Sequence, residues 1–511
     1  MPAEVPKKTF FKKFWWLFVL LLLVIVAISV IILYVSRNEE EGSNFFDLSS
    51  KDSYSVLEDR FVASFLPDSG AAFKYNSPTI VDDYLYLGTS EKLSMEGDHQ
   101  AAYEGIHDNY FYKMDLDLNV TWQYPLGKTM VISAGVLDSH KNIYFLTETF
   151  VLNGEPVDPN NKDARNDIFL TTLNLVSLTN EGTLRWQKQA GEANEPWDHS
   201  TINLAISADD KIYFGHTRFY AYNIDGELTW QYPDENMHFI GFGSAPIIDA
   251  SGNFYFVSPE AAPIDQNDSN ETIKAYKFSS SGALIWSSEL GNEPRLGEGP
   301  TQVGGERVNS SIQKQRQSVS IPSFGIGERA LYSLVGCTVN KVDTQSGDLL
   351  WSLLPEGCTG GFIATPAIDT QDNLYVGTKS NLESTLFAIS GDGTLLWKTL
   401  IGADLYTSPL LGNDNMVYTG SETTDQGKYY KIDMRTGEIQ WVIGRAVSDF
   451  SNGSGALYNG YIYIGVHLMP DDTSNQPKKT LFKIQADTDA YLAGSPWPRF
   501  HGGNENTGRT E

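Results

Sequence analysis

One spacing constrains this chain more than any other feature: a glycine followed four residues later by a tryptophan, recurring along the sequence. Gly182 precedes Trp186, Gly226 precedes Trp230, Gly282 precedes Trp286, Gly347 precedes Trp351, Gly393 precedes Trp397, and Gly437 precedes Trp441. Two residues before each tryptophan stands an aliphatic side chain: Leu184, Leu228, Leu284, Leu349, Leu395 or Ile439. Side chains at i and i+2 point to one face of a strand, so each copy reads as a half-buried strand entered through a glycine turn. Trp122, after Val120, is a first copy without the glycine. Trp497 is an eighth in a different setting, Ser495-Pro-Trp-Pro-Arg-Phe500.

A second element alternates with the first. A tyrosine between apolar neighbours follows an Asp, Asn or Gly turn at Leu85-Tyr86-Leu87, Ile143-Tyr144-Phe145, Ile212-Tyr213-Phe214, Phe254-Tyr255-Phe256, Leu331-Tyr332-Ser333, Leu374-Tyr375-Val376, Val417-Tyr418-Thr419 and Ile462-Tyr463-Ile464. Turns such as Asp249 to Asn253 and Asp369 to Asn373 supply residues that tolerate left-handed backbone and join antiparallel strands. The shortest tryptophan separation, 44 residues, is the length of a four-stranded propeller blade. Eight tyrosine elements interleaved with eight tryptophans therefore predict an all-β, eight-bladed β-propeller of four-stranded antiparallel blades. The long separations come from polar insertions around Asn153 to Asn166 and Gly291 to Gln317, expected as loops on the propeller faces. Stacked around an axis, each sheet buries both faces against its neighbours, and the tryptophans serve that packing.

The segment Phe14 to Val35 is apolar apart from Ser29 and Tyr34, long enough to cross a ~30 Å hydrocarbon layer. It reads as one transmembrane helix, uncleaved because the run exceeds the apolar core of a signal peptide. Lys7, Lys8, Lys12 and Lys13 precede it, so the N-terminus is expected in the cytoplasm and the propeller on the periplasmic or extracellular side. The domain reading is a basic tail over 1–13, the helix over 14–35, an acidic spacer over 36–74 and the propeller over 75–511.

Net charge is −27, and the exported part is more acidic than the whole because the first 37 residues are basic. Such a surface repels phosphate backbones, which excludes nucleic acid as a partner class. Cys337 and Cys358 are the only cysteines. An oxidising compartment lets them pair, and two buried free thiols are the other reading.

The Gly-x-Leu-x-Trp strands and the closing segment Ser495-Pro-Trp-Pro-Arg-Phe-His-Gly-Gly-Asn-Glu-Asn-Thr-Gly508 resemble the pyrroloquinoline-quinone-like propeller repeat proteins, over about Tyr75 to Arg509. That family includes quinoprotein dehydrogenases, the propeller lipoprotein of the outer-membrane barrel-assembly machinery, and many uncharacterised surface proteins. The resemblance implies the fold and leaves function open. Its dehydrogenases carry adjacent cysteines beside the quinone, a calcium-holding set and a catalytic aspartate. Here the two cysteines lie 21 residues apart, so no catalytic, quinone-binding or calcium-binding residue is carried over.

Nor do other motifs supply chemistry. The Asp-rich turns lack the spacing of a calcium loop, and Ser390 to Trp397 differs from the sialidase repeat by one residue of register. The eight histidines have no zinc-like spacing. Sequons stand at Asn119, Asn267, Asn270, Asn309 and Asn452 and matter only in a host that glycosylates. The expected function is a membrane-tethered, non-catalytic scaffold that binds a protein or surface polymer. A quinone-dependent oxidoreductase using pyrroloquinoline quinone and calcium is one alternative, and an outer-membrane protein assembly role is the other.

Overall fold

Seven repeats each build one antiparallel sheet from their own successive strands, an eighth sheet borrows its outer strand, and the computed structural model contains all eight blades. It describes residues 60–510, apart from 74–76, 91–107, 153–168, 194–202, 216–217, 234–236, 240–243, 260, 264–271, 291–319, 363, 380–383, 403, 406, 422–426, 446–447, 450–453, 469–479 and 488. Before residue 60 it describes only the short strands Phe45–Phe46 and Ser55–Val56. The segment read as a transmembrane helix, Phe14 to Val35, lies outside the described residues. Among those described, no helix is long and apolar enough to cross a membrane.

Blade one shows the pattern. Thr79–Val81 pairs with Tyr84–Gly88, then Asn109–Asp115, then Val120–Gly127 on the outside. The tyrosine element is the second strand, buried on both faces, and the tryptophan element is the outer strand, open on one. Blades two to seven repeat this order, with outer strands Leu184–Ala193, Leu228–Tyr232, Leu284–Glu289, Leu349–Leu353, Leu395–Leu400 and Ile439–Arg445.

The eighth blade departs from the expected plan. Its inner strands are Ala456–Tyr458, Tyr461–Gly465 and Leu481–Gln485, but its outer strand is Phe61–Phe65, from the other end of the chain. Part of the stretch read as spacer thus belongs to the propeller. Trp497 supplies no outer strand. It is fully buried in the closing segment, where its ring meets Phe324 of blade five edge-on at 5.7 Å and its carbonyl accepts the amide of Ile368. Ring closure by a distant strand has a physical basis: it leaves no blade incomplete and makes the last sheet depend on both ends of the chain.

Tryptophan and glycine meet between blades. Trp122 of blade one stacks on Gly182 of blade two, where an added Cβ would lie 2.7 Å from the indole. Trp186 meets Gly226, Trp230 meets Gly282, Trp286 meets Gly347, Trp351 meets Gly393 and Trp397 meets Gly437 in the same way. Five of these indoles also donate to a carbonyl of the following blade: Asn180, Ile224, Thr344, Gly391 and Met434. These glycines have positive φ, so the residue that permits the turn also leaves room for the neighbouring ring. Trp441 is capped differently, by the Arg60 guanidinium 5.0 Å above its ring.

Candidate binding face

Antiparallel order sends the turns between first and second strands, and between third and fourth strands, to one face. The remaining connections, within and between blades, go to the other. The first face is made of short, self-satisfied turns. Asp249 Oδ1 accepts the amides of Ser251 and Asn253, while Oδ2 accepts the Asn253 amide group and the Tyr255 hydroxyl at 2.8 Å. Asp138 with Asn142 and Tyr144, and Asp369 with Asn373 and Tyr375, repeat that clamp. The aspartates flagged by sequence as turn residues are thus occupied in turn and tyrosine bonds.

Burial, followed by the neighbouring carboxylates, pushes Tyr255, Tyr332, Tyr375 and Tyr418 well above the usual phenol range. They are donors at any ordinary pH, not bases. Lys341 completes one such cluster between blades five and six, 2.8 Å from Asp372, with its Nζ 5.0 Å from the Tyr332 ring centre. Lys483 of blade eight reaches Asp117 of blade one at 2.8 Å. These groups tie blades together.

The closing segment seals this face at the axis. The amides of Ile80, Ile206, Ile248, Ile368 and Leu411, each on the innermost strand of a different blade, donate to carbonyls of Asn504, Thr507, Gly508, Trp497 and Pro498. Asn504 Nδ2 donates to Leu457 O of blade eight, and Asn506 Nδ2 to Pro78 O and Thr79 Oγ1 of blade one. His501 is fully buried at the centre of this plug, with its ring nitrogens 2.9 Å from the carbonyl oxygens of Pro246 and Asn506. The plug had one visible signal in the sequence, a run rich in Gly, Pro and Asn where a strand would need apolar alternation.

All the long connections open on the opposite face. They include those holding both insertions noted in the sequence, between Leu152 and Phe169 and between Glu289 and Ser323; the insertions themselves lie outside the described residues. Two antiparallel ribbons stand among the connections: Met237–Phe239 with Ala261–Pro263, and Ser448–Asp449 with His467–Leu468. A third fixed point is the Cys337–Cys358 disulfide, with Cα atoms 5.9 Å apart. Cys337 lies in the turn between Ala330–Val335 and Thr338–Asp343, and Cys358 in the connection from blade five to blade six. The bond therefore pins an inter-blade loop to the blade it leaves. No group of three or more potential metal ligands occurs among the described residues.

Comparison with known proteins gives one local family match. Residues 336–468 match the family model described as outer membrane protein assembly factor BamB. Among solved structures, BamB from Moraxella catarrhalis is similar at 12% identity and a TM-score of 0.47, over 83% of this chain and 99% of that one. The Dos1 propeller is similar at 10% identity and a TM-score of 0.47, over 83% and 96%. A eukaryotic initiation factor is similar at 9% identity and a TM-score of 0.40, over 78% and 92%. No curated protein matches the chain.

Proposed function

We propose that this chain is a non-catalytic propeller scaffold, held to a membrane by Phe14 to Val35, which binds a protein or surface polymer outside the membrane through its long-loop face. The observation that carries the reading is the asymmetry of the two faces. One is sealed at the axis by residues 492–510 and made of turns whose polar groups bond one another, while every long connection opens on the other. Loops displayed on a rigid scaffold are where binding surfaces are built. A tether would confine that face near the membrane and raise the effective concentration of partners held there.

The tether is tested by topology. A reporter active only in the cytoplasm, fused after Glu511, should be silent, and N-terminal sequencing should recover residues before Phe14. Reporter activity, or a mature start near Gly42, would overturn it. The face is tested by replacing residues 291–317 with a short Gly-Ser linker in the full-length chain and measuring partner retention.

A second reading is favoured by the family match over residues 336–468. On it, the partner is the machinery that assembles outer-membrane proteins. Depleting the chain in its own cells should then lower the folded fraction of outer-membrane barrels. Unchanged barrel levels at full depletion would reject this reading and leave the scaffold reading standing.

A further inference from the structure

The outer strand of each blade has a free edge unless something covers it, and the blades differ in what they present there. Blade seven is covered: Ser55–Val56 adds to it in parallel, with Ser55 opposite Trp441 and Val56 opposite Val442. On that strand Ile439 is 8% and Trp441 4% exposed.

Blade five has the same motif at the same register, Gly347-Asp-Leu-Leu-Trp351 against Gly437-Glu-Ile-Gln-Trp441. There Leu349 is 43% and Leu350 52% exposed, and Trp351 is only half-buried. Blade four beside it shows Leu284 at 48% and Ile285 at 49%. Both pairs stand at a β-bulge, where Leu350 and Ile285 are the extra residues of the outer strand and so two consecutive apolar side chains are presented to solvent together. Blades two and three each expose a single leucine at this position, Leu184 and Leu228.

Edges of natural sheets are usually blunted by charge, above all lysine, or by proline. Leu349–Leu353 carries neither, in a chain of net charge −27. Among the described residues no further strand pairs with it or with Leu284–Glu289.

We propose that the outer edge of blade five, with that of blade four beside it, accepts an extended segment of a second polypeptide as an added parallel strand. The occupant has apolar side chains alternating with basic ones. Strand addition follows from blade seven, where the same motif already takes a parallel strand. Apolar side chains answer Leu349, Leu350, Leu284 and Ile285. Basic residues answer the acidic surface, on which Asp348 precedes one strand and Glu289 ends the other, and the same acidity opposes pairing with a second copy. The surface lies on the circumference of the ring and is independent of the loop face, so each can fail without the other. Main-chain bonds would supply affinity, and the leucines specificity.

The test uses full-length protein in lipid nanodiscs and a fluorescent octapeptide of alternating valine and lysine. Expected are saturable binding, at least a tenfold loss in Leu350→Lys and in L349K/L350K, and little change in L184K. The same peptide carrying a photo-cross-linker should label Leu349–Leu353 or Leu284–Glu289 in the unaltered chain, a result that does not depend on any variant folding. An octapeptide with glycine in place of valine should bind at least tenfold more weakly. Equal binding of the glycine peptide, labelling elsewhere, or binding unchanged in both lysine variants overturns the proposal. So does sedimentation as a dimer that Leu350→Lys abolishes, which would assign the edge to a second copy.

Discussion

At the scale of single residues, the repeated glycine is the most exacting position, since it must adopt positive φ and also clear an indole. Gly182 has φ +81° and faces Trp122. Gly182→Ala should therefore cost about 1 to 3 kcal/mol in a denaturant titration, whereas Gly494→Ala, with nothing within 4 Å of its Cβ and no positive φ, should be neutral. Equal midpoints for the two would contradict the packing described. His501 gives a pH signature. Burial first, then the nearby Arg499 charge, hold its imidazole down at about 4 against an ordinary 6.5, although bonds to Pro246 and Asn506 oppose the shift. Between those values the unfolded chain binds a proton that the folded chain refuses. Its contribution is thus complete above pH 6.5 and lost as pH falls toward 4, by roughly 3 kcal/mol. Urea midpoints measured from pH 7 to 4 should fall less steeply in His501→Gln, and an unchanged slope would count against a neutral buried imidazole. The tryptophan register was legible because a fixed Gly-to-Trp spacing reports a local constraint. The plug was not, because Trp497 and His501 are held by contacts with blades more than a hundred residues away.

At the scale of elements, strands inside the repeats could be read from alternation and turns, but the strand that closes the ring could not. Phe61-Val-Ala-Ser-Phe65 is short, lacks both repeat signatures and pairs with Leu481–Gln485 some 420 residues away, so only its partner identifies it. Arg60 reinforces it, donating to the carbonyls of Gln485 and Ala486. A chain starting at Asp47 should keep a single cooperative unfolding transition, whereas one starting at Asp68 leaves an uncovered edge on blade eight and should unfold at lower denaturant. Identical midpoints would mean that the strand contributes nothing to closure. The disulfide is a second element-scale device. Closing a loop of this length stabilises by about 2 to 4 kcal/mol through the unfolded state, so reduction should lower the unfolding midpoint by a corresponding amount. Cys337→Ser with Cys358→Ser should show the same shift and no further response to reductant. Pairing was only one of two readings open in the sequence, since spacing along the chain does not report distance between Cα atoms.

At the scale of the whole molecule, eight like sheets bury one another, and the two faces of the ring are then free to diverge. The number of blades was readable because each carries a tyrosine strand, even though the eighth has no tryptophan strand of its own. Which face is closed was not readable, because it depends on where a single terminal segment docks. The same division governs the functional reading: a scaffold needs an open face, whereas a quinone enzyme would need a stacking slot and a metal shell. Purified chain supplied with pyrroloquinoline quinone and calcium should neither retain the quinone nor reduce an artificial acceptor with alcohols, and a stoichiometric quinone spectrum would reject the scaffold. The central claim, that binding belongs to the long-loop face, is met most directly by quantitative co-purification from solubilised membranes. Three full-length forms would be compared: the unaltered chain, one with residues 291–317 replaced by a linker, and one with lysines at Asn413 and Asn459 on the sealed face. The same partner should be recovered with the first and third and lost with the second. Retention by the loop replacement together with loss by the sealed-face variant would contradict the claim.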